Sequence, residues 1–136
     1  MEKFTQYGTS VVVAHTGIVA LHALSHEVLL VSLSLFQSLF VGIVIILTPL
    51  LAAILLWTRS SRIGAVLLFC SMGGALAFGL YNHFILVGPD HVSQIPIMGW
   101  GLLFQITAVF LAITEGLGVG VSLWGLKNIL QQEVVQ

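Results

Sequence analysis

Nearly all of this 136-residue chain is taken up by long apolar runs, and charge is confined to the short breaks between them. Phe36 to Trp57 stops at Thr58-Arg59-Ser60-Ser61-Arg62, Ile63 to Leu86 stops at Gly88-Pro89-Asp90, and Met98 to Trp124 stops at Lys127-Asn128. A helix of about 20 residues crosses the hydrocarbon core of a bilayer, so each run is long enough to span. A fourth run, residues 10–32, lies upstream. The stretch Leu33-Ser34-Leu35-Phe36-Gln37-Ser38 that separates it from the next holds no Gly, Pro or Asn to mark a turn.

Composition agrees with the runs. Charged residues make up 7 % and hydrophobic residues 58 %, whereas a soluble domain carries about 25 % charged residues. The expectation is an all-α integral membrane protein, a four-transmembrane-helix bundle forming one membrane domain over residues 1–136. An alternative keeps an interfacial helix at the start, then one long span from Glu27 to Trp57 and two more. Interfacial helices carry Lys and Arg on their polar face, and Val11-Val12-Val13 and Ile18 to Leu21 have neither, so four spans fit better. The opening MEKFTQYGTS superficially resembles a signal peptide. A cleavable signal has an apolar core of roughly 7 to 15 residues, and this run continues past Leu29, so it reads as a retained span.

Lys3, Arg59, Arg62 and Lys127 all fall on one side of a four-span arrangement, and the loop from Val87 to Ile97 has neither Lys nor Arg. Both termini are therefore expected on the cytoplasmic side, with Trp57 and Trp124 at the inner interface and Tyr81 and Trp100 at the outer one. No basic patch exists to meet a phosphate backbone, which excludes nucleic acid as a partner. The expected partners are membrane lipid, other membrane-protein subunits or further copies of the chain. Cys70 is the single cysteine, so no intrachain disulfide can form.

Small residues recur every fourth position in the last two runs: Ser71, Ala75 and Gly79 lead to His83, and Ala108, Ala112, Gly116 and Gly120 form a second stripe. Such stripes let helix backbones approach closely, so spans three and four are expected to pack together. Pro49 leaves the carbonyl of Ile45 without its helical donor, which predicts a kink.

The chemistry-bearing residues gather toward one end. His15, His22 and His26 share a helical face, with His22 and His26 within about 20° of His15 around the axis. At about 1.5 Å per residue, His26 lies roughly 24 Å above the inner edge and His83 roughly 30 Å above it. Asp90 and His91 follow in the outer loop, where Asn82-His83-Phe84 and Gly88-Pro89-Asp90-His91 read as a specific turn site. The spacing thus predicts an outer cluster of His22, His26, His83, Asp90 and His91. Imidazoles at i and i+4 can clip one ion, and His83 or His91 could complete a nitrogen and oxygen set suited to Zn or Cu. The same positions allow a haem b with His26 and His83 as axial ligands. They also suit helix-bridging hydrogen bonds or proton handling without any cofactor. Deeper in the chain, Glu115 and His15 reach nearly one depth, where a lone carboxylate is costly, so a hydrogen bond between them is expected, with Thr48 or Thr114 as further partners.

Several classes drop out. Gly116-Leu117-Gly118-Val119-Gly120 lies within a span and cannot serve as a phosphate loop. There is no nucleophile, base and orienter set, and nothing suggests the two inverted halves of a transporter. Two readings remain: a membrane protein whose outer histidine cluster binds a transition metal or haem, alone or within a redox assembly, and a non-catalytic accessory subunit that packs against larger membrane proteins.

Overall fold

The computed structural model of the chain describes residues 2–135, with side chains through residue 131. Four helices are long and apolar enough to cross a membrane: α1 (Glu2–Leu29), α2 (Leu35–Leu56), α3 (Ser61–Ile85) and α4, which begins at Trp100 and continues to Val135. No strand occurs among the described residues. The helices run alternately up and down. α4 packs against α1 and α3, and α2 packs chiefly against α3.

α1 begins at Glu2, ahead of the expected boundary at residue 10, because its polar first turns find partners across the bundle. Thr5 Oγ1 donates to the Leu56 carbonyl at 3.2 Å, and Trp57 Nε1 donates to Thr9 Oγ1 at 2.9 Å. Phe4 is buried against Trp124, with ring centroids 6.3 Å apart, and a Cβ on Gly125 would fall only 2.1 Å from the Phe4 ring. This end of the bundle carries Lys3, Arg59, Arg62 and Lys127.

The turn between α1 and α2 is unusual. Leu30 takes the left-handed conformation (φ 53) that glycine normally supplies after a helix, and Val31 N–H donates back to the His26 carbonyl at 3.0 Å. For an L-residue that conformation costs roughly 1–2 kcal/mol. Ser34 then caps α2: its hydroxyl accepts from Gln37 N–H while the Gln37 side chain accepts from Ser34 N–H.

Pro49 does not simply kink α2. The preceding turn widens to a π-helix over Val41–Leu47, and Thr48 Oγ1 donates to the Ile43 carbonyl at 2.7 Å. α3 likewise ends in π geometry over Tyr81–Ile85, the segment that carries Asn82 and His83. The stripe expected on α4 is only partly a contact face. Ala108 is buried, yet Gly116 and Gly120 meet nothing, and the close approach to α3 is made by Gly118, where a Cβ would lie 2.6 Å from Met72.

Candidate metal centre

Three imidazoles from two helices meet near the end of the bundle opposite Lys3, Arg59, Arg62 and Lys127. His22 and His26 follow each other on α1, and the π turn of α3 swings His83 toward them. One ring nitrogen from each lies within 4.8 Å of the others. Ring centroids are 4.9 Å apart for His22 and His26, 4.8 Å for His22 and His83, and 6.2 Å for His26 and His83. Phe104 of α4, fully buried, closes one side at 4.7 Å from the His22 ring.

The other nitrogens of the rings are held by groups with fixed roles. Thr107 Oγ1 lies within donating distance of the carbonyls of Leu103 (2.7 Å) and Phe104 (3.0 Å), and with its single proton given to the nearer one its oxygen accepts from His22 Nδ1–H at 2.8 Å. His22 therefore carries its proton on Nδ1 and a lone pair on Nε2. Nε2 is buried without a hydrogen-bond partner among the described residues. His26 Nδ1 lies 3.1 Å from the Val31 carbonyl and His83 Nδ1 lies 3.1 Å from the Asp90 carbonyl, and a carbonyl can only accept. In all three neutral rings the Nε2 lone pair is thus left free. Second partners that fix ring orientation in this way are the usual support of metal-ligating histidines.

Asp90 reaches in from the loop after α3. Its Oδ1 lies 3.2 Å from His26 Nε2 and 3.2 Å from His83 Nδ1, as close charge contacts without the alignment of a hydrogen bond. Burial works against its charged form, but protonated His26 and His83 beside it outweigh that, offering N–H and positive charge, and hold the carboxyl well below the usual carboxylate range. His91, expected in the cluster, stands apart from the three imidazoles. Its Nδ1 accepts from Ser93 N–H at 3.2 Å and caps the short 3₁₀ turn Val92–Gln94. That turn is fastened to α4 by Gln105, whose Nε2 donates to the carbonyls of Val92 (3.1 Å) and Ile95 (2.9 Å).

A second polar pair lies deeper. His15 Nε2 is 3.2 Å from Glu115 Oε1, with the two side chains 1 % and 3 % exposed. Thr48 and Thr114 are not partners of this pair: Thr48 donates to Ile43 and Thr114 to the Phe110 carbonyl, each within its own helix. Gly79 stands between the two sites, since a Cβ there would lie 3.7 Å from Glu115 Oε2 and 3.9 Å from the His83 ring.

Sequence reasoning did not find Thr107, Val31 or Phe104. Phe104 and Ala108 share the α4 face that carries Glu115, with Thr107 on its flank, a spacing that marks the buried side without naming the role. Val31 carries no signal, because its contribution is a carbonyl exposed by the turn at Leu30. Comparison with known proteins finds no matching family model, no matching curated protein and no matching solved structure.

Proposed function

We propose that this chain is a multi-pass membrane protein, both termini on the cytoplasmic side, that holds a divalent first-row transition-metal ion on His22, His26 and His83, with Asp90 as the neighbouring carboxylate. The observation that carries the reading is the tautomer pattern. With every Nδ1 proton committed, three Nε2 lone pairs are left free, and that of His26 faces a carboxylate oxygen 3.2 Å away. A lone pair and an anionic oxygen repel at that distance, and a cation between them removes the conflict. A proton on His26 would answer for one contact. A metal ion answers for all three imidazoles and the carboxylate together.

Nitrogen and oxygen donors without a thiolate suit Zn(II) or Cu(II). Haem fits less well, because a porphyrin would have to pass between His26 and His83, which one Asp90 oxygen already bridges. Three imidazoles beside a cavity resemble a reactive centre with a position left for water or substrate more than a closed structural site. The test is a zinc and copper titration of the detergent-purified chain against a chromophoric chelator, with an optical spectrum. One tightly bound equivalent, lost in His26→Ala/His83→Ala, supports the centre; a Soret band indicates haem, and a folded protein that takes up neither removes both.

One observation favours a role as an accessory subunit beside this one. Gly116 and Gly120 form an outward small-residue stripe on α4 with no neighbour within 4 Å of a built Cβ, the kind of surface against which another membrane helix packs. Native mass spectrometry of the chain extracted from its own membrane, compared with Gly116→Leu/Gly120→Leu, tests it: a larger complex that the variant loses supports the role.

A further inference from the structure

Beneath the imidazoles a cavity of about 460 Å³ extends inward between α1 and the outer half of α2, with α3 and α4 behind it. The volume falls within the range of about 300–1,000 Å³ typical of small-molecule sites. Its midsection is apolar, walled by Val19, Ile45, Ala75, Phe78 and Leu111, and its two ends are polar. His22, His26, His83 and Asp90 form the outer end and Glu115 the inner one. On the α1 and α2 side the lining runs through Glu27, Leu30 and Ser38, all exposed, so the opening faces outward from the bundle between these helices.

The polar atoms left over set the chemistry of the occupant. Glu115 is 3 % exposed, and His15 takes its Oε1. Its Oε2 makes no hydrogen bond among the described residues and opens onto the cavity, where a carboxyl oxygen facing apolar walls without a donor is costly. At the outer end the unpartnered atoms are His22 Nε2 and Asp90 Oδ1, again acceptors. A hydrocarbon chain would fill the midsection and leave these oxygens unpaired, and a charged metabolite would be stripped of water by the apolar walls.

We propose that the cavity binds a lipid-soluble phenol or hydroquinone, its ring in the apolar midsection, one hydroxyl donating to Glu115 Oε2 and its opposite oxygen facing the three imidazoles, with any tail leaving between α1 and α2. The contact at the outer end rests on the metal-centre reading; the contact at Glu115 does not. The probes are a decyl-substituted benzohydroquinone, kept reduced under argon, and its dimethyl ether, which has the same ring and tail but no hydroxyl. Each is titrated calorimetrically onto the detergent-purified chain, zinc-loaded and chelator-stripped. One hydroquinone per chain is expected, with the ether at least tenfold weaker and Glu115→Leu at least tenfold weaker while keeping its zinc. Equal affinity for the two probes overturns the proposal, as does undiminished binding in folded Glu115→Leu. Ala112→Phe, which fills the cavity from its wall, serves in the same way if the Glu115 variant does not fold. A chain that takes no zinc yet still prefers the hydroquinone sinks the metal centre and supports this site.

Discussion

His22 Nδ1 lies 2.8 Å from Thr107 Oγ1, a hydroxyl whose own proton is already committed to an α4 carbonyl, so a residue of α4 sets the tautomer of a histidine of α1. Thr107→Val keeps the shape and removes the acceptor, freeing the ring to turn or to change tautomer. Metal affinity is expected to fall about 10- to 100-fold, the usual cost of losing such a second partner. Chelator competition measures it, with helical circular dichroism unchanged. Unaltered affinity would show that Thr107 does not govern His22.

Metal retention should depend on pH through the imidazoles and not through Asp90. The Asp90 carboxyl is held below the usual carboxylate range, so it stays ionised throughout the working window. Histidine ligands must be neutral to bind, so an imidazole given up by the ion is free to take a proton. Affinity should fall as the pH is lowered, with more than one proton taken up per ion released. A zinc-release titration followed by proton uptake checks it; release without proton uptake would contradict it.

The buried pair of His15 and Glu115 ties α1 to α4. His15→Leu leaves a buried carboxyl without its donor, which is expected to destabilise the fold by about 2 kcal/mol. His15→Leu/Glu115→Leu removes both polar groups and should lose less than the single variant. Reversible unfolding in mixed micelles measures the difference, and a double variant weaker than His15→Leu would contradict this view of the pair.

The turn at Leu30 stores strain that its side chain does not repay inside the protein, since Leu30 is 87 % exposed. Leu30→Gly relieves the left-handed conformation and is expected to stabilise the fold by about 0.5–1 kcal/mol, part of the gain being offset by the freer unfolded chain. Metal affinity should be unchanged, because Val31 keeps its place beside His26. A thermal-unfolding scan of the two proteins decides the sign.

The four helices were legible because apolar runs of this length have few other uses, and helical rise put His26 and His83 at similar heights, while the π turn that brings His83 to face α1 was not legible. What escaped was tertiary. The early start of α1 depends on Thr5 and Thr9 finding partners on and beside α2, which no local pattern predicts. The break after α1 carries no Gly, Pro or Asn because a leucine occupies the strained position. The α4 stripe was assigned by its four-residue spacing to the interface with α3, whereas Gly118, outside that spacing, makes the close approach. His91 has the right residue type and height, but its ring turns to Ser93 and caps its own loop.

X-ray absorption at the zinc edge of the zinc-loaded, detergent-purified chain is the most direct test of the centre. The account predicts three imidazole nitrogens at about 2.0–2.1 Å with oxygen completing the shell and no sulfur, and loss of the imidazole scattering in His22→Ala/His26→Ala/His83→Ala. A shell of oxygen alone, or one that the triple variant leaves intact, would contradict it.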